Sequence, residues 1–222
     1  MGKIDLISIK DKKSPIVEAY RTIRTNINFF SSNRKLKTIL FTSSDAGEGK
    51  STTVANLATV IGQTGQKVLV VDCDLRKSNQ HHLFSLHNRG LTNCLVSGEP
   101  VDNFIQATEV ENVDVLTAGP IPPNPSELLG SEKMASLLNT VSEKYNYVLL
   151  DTPPVLPVTD AMVIATMADG IIMVVCAGMI SPREAIDVKN RLQQSGTPIL
   201  GVILNKVEYS HGYYKYKYKY RY

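Results

Sequence analysis

The sequence predicts an α/β fold: a mostly parallel central sheet flanked by helices, with one main domain over residues 1–208 and a flexible tail over 209–222. Two observations carry that prediction. Short β-branched apolar runs alternate along the chain with helix-like segments, the pattern of βαβ units. Most of those runs are apolar on both faces, as strands buried between two layers of helix should be. A length of 222 residues suits a single domain with a full core, and 43% hydrophobic against 20% charged residues is an ordinary globular composition.

The first element is a helix from residue 14 to about residue 30. Its apolar residues Ile16, Tyr20, Ile23, Ile27 and Phe30 recur at helical spacing and should form the stripe that packs on the body. Glu18, Arg21 and Arg24 follow one another at intervals of three on a different face, which by itself reads as a solvated surface with weak ion pairs. Strands are predicted at 37–42, 67–71, 113–117, 147–150, 170–175 and 199–204. One of the helices between them starts at Ser181-Pro182-Arg183-Glu184, where an N-cap serine, a first-turn proline and a glutamate three residues on form a capping box.

After the first strand comes Ser43-Ser44-Asp45-Ala46-Gly47-Glu48-Gly49-Lys50-Ser51-Thr52-Thr53, leading into a helical run. This is the phosphate-loop pattern G-x-x-x-x-G-K-[ST], with Ser44 in place of the first glycine. Gly47 and Gly49 let backbone N–H groups turn inward on a polyphosphate, so residues 45–52 are the candidate nucleotide contacts. Lys50 would reach the β- and γ-phosphates and Ser51 would join a Mg²⁺ shell. Two further acidic sites end predicted strands: Asp72-Cys73-Asp74 and Asp151. Ligands of open α/β sheets bind at that edge, so the three carboxylates can converge on the loop. Hard oxygen ligands beside a polyphosphate suit Mg²⁺, which needs only one or two of them, leaving the extra Asp in need of another task.

The cysteines, Cys73, Cys94 and Cys176, are odd in number and lack CxxC spacing, so the sequence indicates no disulfide framework or zinc site and a reduced, cytoplasmic compartment. The longest apolar stretch, 171–180, is interrupted by Gly178 and falls short of the roughly 20 residues that span a bilayer. The first residues, MGKIDLISIKDKKS, have no signal-peptide core, so membrane association is expected through a partner. The net charge of +3 owes much to the tail, which holds four basic residues, no acidic one, and seven of the ten tyrosines: Tyr209, Tyr213, Tyr214, Tyr216, Tyr218, Tyr220 and Tyr222.

Together these residues resemble the bacterial protein-tyrosine kinases of capsular and extracellular polysaccharide synthesis (BY-kinases), in the Gram-positive type whose cytoplasmic kinase is a separate chain from its membrane adaptor. The resemblance covers 14–222 and rests on the set of motifs. It includes the Lys50-Ser51 pair, the run Asp72-Cys73-Asp74-Leu75-Arg76-Lys77, Asp151-Thr152-Pro153-Pro154, a proline-rich loop over 118–129, Glu18-x-x-Arg21-x-x-Arg24 and the tyrosine tail. Ser78 stands where proline is usual. The resemblance implies a P-loop NTPase fold of the deviant Walker A (SIMIBI-like) kind. It also implies an ATP- and Mg²⁺-dependent, non-specific protein-tyrosine kinase that autophosphorylates its tail in a neighbouring subunit.

On that reading Lys50, Asp72, Asp74 and Asp151 are catalytic, with Asp72 taking the tyrosine proton, and Ser51, Asp74 and Asp151 form the Mg²⁺ shell. Glu18, Arg21 and Arg24 become contacts of a homo-oligomeric ring. The implied partners are the cytoplasmic segment of a transmembrane adaptor or polysaccharide co-polymerase, which recruits the chain to the inner face of the membrane, and a cognate phosphotyrosine phosphatase. Asn205-Lys206-Val207-Glu208 is similar to the base-reading N-K-x-D of GTPases, with Glu for Asp; Asn205 is either an adenine-edge contact or a simple strand end.

The alternative is a positioning or partition ATPase of the deviant Walker A class without kinase activity. Those proteins carry a second lysine five residues before the loop lysine, where this chain has Asp45. Nucleic-acid binding by the Tyr/Lys tail is a further possibility, set aside because four basic residues are few and the body has no basic complement, so no nucleic-acid partner is expected.

Overall fold

A computed structural model describes residues 4–33 and 36–207. The chain opens with a short helix, α1 (Ile7–Lys10), and a long one, α2 (Pro15–Asn33). There follow β1 (Thr38–Ser43), α3 (Lys50–Gly62), β2 (Val68–Asp72), α4 (Gln80–Leu83), α5 (Leu91–Ser97), β3 (Gln106–Ala107) and β4 (Val113–Leu116). The second half comprises α6 (Pro125–Leu129), α7 (Glu132–Lys144), β5 (Tyr147–Asp151), α8 (Asp160–Ala165), β6 (Gly170–Cys176), α9 (Pro182–Gln193) and β7 (Ile199–Asn205). The strands form one sheet in the order β3-β4-β2-β5-β1-β6-β7, parallel throughout except for β3. All six predicted strands are present, shifted by one residue at most at each end. The antiparallel β3 was not anticipated, because two residues carry no periodicity to read.

Alternation along the strands builds two cores, one on each face of the sheet. Leu40, Leu69, Val71, Val148 and Leu150 face a layer containing α5, α7, α8 and α9, while Ile39, Phe41, Val68, Val70 and Leu149 face α2 and α3. Each fully buried apolar side chain contributes about 1.5–3 kcal/mol relative to exposure.

The predicted seam of α2 needs correction. Val17, Tyr20 and Ile27 are buried and Ile23 is partly so, but Ile16 and Phe30 are 53% and 47% exposed. The helix is rotated because Arg24, counted as surface, turns inward: its guanidinium donates to the Val60 carbonyl at 2.9 Å, near the end of α3. A long basic side chain with an apolar stem can take a seam position if its head finds an acceptor. The helix also runs about a turn beyond Phe30, and α1, unpredicted, docks through Ser8, whose N–H donates to Asn56 Oδ1 at 3.0 Å. The capping box of α9 forms as expected: Glu184 N–H donates to Ser181 Oγ at 3.2 Å, and Ser181 N–H donates to the Glu184 carboxylate at 2.8 Å. Among the described residues, no helix is long and apolar enough to cross a membrane.

Candidate active site

The C-terminal ends of β2, β5, β1, β6 and β7 lie side by side, and this edge collects the polar residues of the sequence motifs. Asp72 and Asp151 are register partners on adjacent strands, and Asp151 is also paired with Phe41 of β1, just before the phosphate loop.

The loop between β1 and α3 is braced from beneath. Glu48 is almost fully buried, and its carboxylate accepts from Asp45 N–H at 2.8 Å and from Cys176 N–H, at the end of β6, at 2.7 Å. Asn205, at the end of β7, donates through Nδ2 to the Glu48 carbonyl at 2.8 Å, and Lys206 Nζ donates to the Gly47 carbonyl at 2.8 Å. Gly47 and Gly49 have φ of 83° and 88°, the left-handed region that glycine adopts without strain. A Cβ on Gly49 would also lie 2.2 Å from Asn205 Nδ2. With its carbonyls and buried carboxylate used for support, the loop presents its amides outward. Among the described residues, the backbone N–H groups from Gly47 to Thr52 have no acceptor within the chain. Such a run at the start of a 13-residue helix has the geometry to hold an anion.

Asp45 is exposed, with Ala46 N–H donating to its Oδ1 at 2.7 Å. Lys50 is buried and ion-paired to Asp151 Oδ1, with Ser51 Oγ 3.3 Å from its Nζ. Asp151 is fully enclosed, and its Oδ2 accepts from Gln80 Nε2 at 2.7 Å.

Asp72 is also fully enclosed and accepts from three backbone amides: Asp74 at 3.2 Å, Asn79 at 3.0 Å and Gln80 at 2.9 Å. Burial and the neighbouring Asp151 charge push its carboxyl up to about 7, against the opposing pull of the Gln80 and Asn79 amides and of Lys50. Burial likewise pushes the thiol of the intervening Cys73 well up, which marks it as an inert core residue. Asp74 accepts from Lys77 N–H at 2.9 Å. Thus Lys50, Ser51, Asp72, Asp74 and Asp151 share one edge. Asn205 sits behind the loop, with its Nδ2 engaged by the Glu48 carbonyl.

The second charged motif lies elsewhere, on α2. Arg21 pairs with Glu18 at 2.9 Å on the surface and donates to the Lys12 carbonyl at 3.1 Å, while Arg24 is the inward-turned residue described above. The seven tail tyrosines, Tyr209 to Tyr222, and Glu208 lie outside the described residues.

Sequence reasoning missed Gln80, cited Lys206 only within the Asn205 motif and gave it no task, and did not assign Arg76 a partner. Arg76 Nε donates to Asp160 Oδ2 at 2.8 Å and its NH2 group to Oδ1 at 3.1 Å, and Ser126 Oγ also donates to that carboxylate. This latch joins the acidic loop after β2 to α6 and α8. Nothing local in the chain announces a partner 84 residues away.

A sequence model described as an AAA domain matches residues 36–183. The chain is 43% identical over 215 residues to the tyrosine-protein kinase YwqD of Bacillus subtilis, covering 95% of this chain and 91% of that one. Among solved structures, the chimerical protein CapA2B2 superposes with a TM-score of 0.88 at 42% identity, covering 92% of this chain and 90% of that one. The kinase domain of the Escherichia coli tyrosine kinase ETK gives 0.89 at 34%, covering 96% and 86%. The septum site-determining protein MinD of Pyrococcus horikoshii, complexed with Mg-ADP, is less similar, at 0.68 and 28% over 79% of this chain and 72% of that one. The sheet is therefore that of the nucleotide-binding P-loop NTPases, as the sequence predicted, and the partition-ATPase alternative is not favoured. Within that class, identity across nearly the whole chain decides the assignment: this protein belongs to the bacterial tyrosine-protein kinase family.

Proposed function

We propose that this chain transfers the γ-phosphoryl group of ATP to the tyrosines of its own C-terminal cluster, from Tyr209 to Tyr222, within an oligomer. The observation that carries the reading is the run of unaccepted N–H groups from Gly47 to Thr52 beside Lys50, on the edge that also holds Asp72, Asp74 and Asp151.

The residues fit Mg²⁺. Among the described residues, no group of three or more His, Cys, Asp or Glu side chains can hold a metal by itself. A cation held here would draw the rest of its shell from phosphate and water, as Mg²⁺ commonly does. Ser51, Asp74 and Asp151 would hold it, and it would offset charge on the phosphates. Lys50 exchanges Asp151 for the β- and γ-phosphates, while the loop amides fix the chain of phosphates in place. A tyrosine hydroxyl is protonated at neutral pH, with a free pKa of about 10. Its oxygen forms the new bond to the γ-phosphorus as the β–γ bridging bond breaks to leave ADP, and its proton passes to an Asp72 carboxylate oxygen. A carboxylate sealed this way receives a proton only when the acceptor displaces part of its cover, which at Oδ1 is the single Asp74 amide at 3.2 Å.

The exposed Glu18–Arg21 pair and the exposed Ile16, Phe29 and Phe30 on α2 support that helix as the contact with a second copy. Asn205 supports the loop through the Glu48 carbonyl, and its reading as an adenine-edge contact rests on the family resemblance. By family, the activity serves capsular or extracellular polysaccharide synthesis. It is set by a membrane adaptor's cytoplasmic segment, which brings the chain to the inner membrane face, and reversed by a phosphotyrosine phosphatase.

Incubating the full chain with Mg-ATP and mapping phosphate by mass spectrometry tests the reading. Phosphotyrosine within 209–222 that disappears in Lys50→Met is expected. ATP hydrolysis without phosphotyrosine would return the chain to the ATPase class.

A further inference from the structure

Gln80 belongs to no nucleotide-binding motif, yet it touches three parts of the site. It opens α4 and is fully buried. Its backbone N–H donates to Asp72 Oδ2 at 2.9 Å. Its side-chain Nε2 donates to Asp151 Oδ2 at 2.7 Å and to the Ser51 carbonyl at 3.1 Å. Both partners of Nε2 are pure acceptors, so the amide has one workable orientation: nitrogen toward Asp151 and Ser51, oxygen away. That oxygen, Oε1, is buried and has no hydrogen-bond partner. An unsatisfied buried acceptor is destabilising, and one beside a ligand site calls for a donor that arrives with the ligand.

We propose that Gln80 is the positioning residue of the divalent-cation site. By holding Asp151 through Oδ2 it fixes the orientation of that carboxylate when Lys50 releases Oδ1 to reach the phosphates, and its Oε1 is the acceptor for a water of the cation's shell. The inference rests on the reading of Ser51 and Asp151 as metal-site residues. Lys50 and Gln80 divide the two oxygens of Asp151 between them. The lysine is the mobile partner and the amide the fixed one, because Gln80 is also tied at its backbone to Asp72. Glutamate at 80 would set a second anion against Asp151, and leucine would fill the space while leaving Oδ2 without its donor.

The test is binding of a fluorescent ADP analogue, mant-ADP, to the full chain, in excess EDTA and across a MgCl₂ titration. Gln80→Leu is expected to bind as wild type does in EDTA, while the Mg²⁺ concentration giving half of the metal-dependent gain in affinity rises by about tenfold, the usual loss when a ligand's supporting residue is removed. Gln80→Asn, one methylene too short to reach Asp151, should shift the midpoint in the same direction and guards against misfolding of the leucine variant. An unchanged midpoint in the folded variants overturns the proposal. So does an equal loss of affinity with and without Mg²⁺, which would make Gln80 a support of the phosphate loop alone. Asp151→Asn separates the two levels. If it abolishes the metal-dependent gain while the Gln80 variants leave the midpoint alone, the metal site stands and Gln80 has no part in it. If Asp151→Asn keeps the full gain, the metal-site reading itself fails.

Discussion

The loops that follow β1 and β2 have opposite polarity, although both leave buried parallel strands at the same edge of the sheet. After β1 the chain spends a carboxylate, Glu48, on its own support and turns its amides outward. After β2 it turns the amides of Asp74, Asn79 and Gln80 inward onto Asp72 and seals that carboxylate from water. The first arrangement makes a site that attracts a polyphosphate. The second keeps a carboxylate whose proton affinity is raised to about 7. What separates them is conformational: Gly47 and Gly49 adopt left-handed φ in the first loop, whereas none of residues 73–79 does in the second.

Removing the cation of the first loop gives the largest effect. Lys50→Met should lower tail phosphorylation by at least about 100-fold, read as phosphotyrosine by mass spectrometry. The fold persists by circular dichroism, but the lone Asp151 charge left in the core costs about 3–5 kcal/mol in denaturant unfolding. Lys50→Met with Asp151→Asn should regain part of that stability and none of the activity. Stability that fails to recover would mean the buried pair is not what the single variant lost.

Next is the second loop. Asp72→Asn should lower the phosphoryl-transfer rate by about 10²–10⁴ while mant-ADP affinity stays near wild type, since the side chain keeps its size and its hydrogen bonds run to the Asp74, Asn79 and Gln80 amides rather than to the phosphate loop. A matching loss of nucleotide affinity would show that the two loops are not separate devices.

Glu48→Ala reverses the bracing of the first loop. It leaves the Asp45 and Cys176 amides without an acceptor, at about 1–3 kcal/mol each, visible as a lower denaturation midpoint at constant slope. The smallest effect concerns the latch that holds the second loop. Burial pushes the Asp160 carboxyl up, but hydrogen bonds from Arg76 and Ser126 and the Arg76 charge together hold it below its ordinary value. A group depressed on folding stabilises above its unfolded pKa, about 3.9, and loses that contribution as pH falls through its lower folded value. The stability gap between wild type and Asp160→Asn should therefore be constant near neutral pH and close below about pH 4. A gap that is flat across that range would separate the latch from any ionic role.

The sequence by itself determined the sheet, the loop and the three carboxylates. Each is written locally: strands by runs of β-branched residues, the loop by glycine spacing before a lysine, the carboxylates by their place at strand ends. It misjudged α2 by a fraction of a turn, because a residue's type does not say whether a neighbouring helix offers its guanidinium a carbonyl, as Val60 does for Arg24. It was silent on Gln80 and on the Arg76–Asp160 latch, and it counted Glu48 among the nucleotide contacts where the structure makes its buried carboxylate a brace, because each depends on partners separated along the chain by 71, 84 and 128 residues. Only the tertiary structure decided those contacts. Hydrogen bonds across such separations are set by strand order and register, which place β2 beside β5 and β6 beside β1, and no local pattern encodes that adjacency.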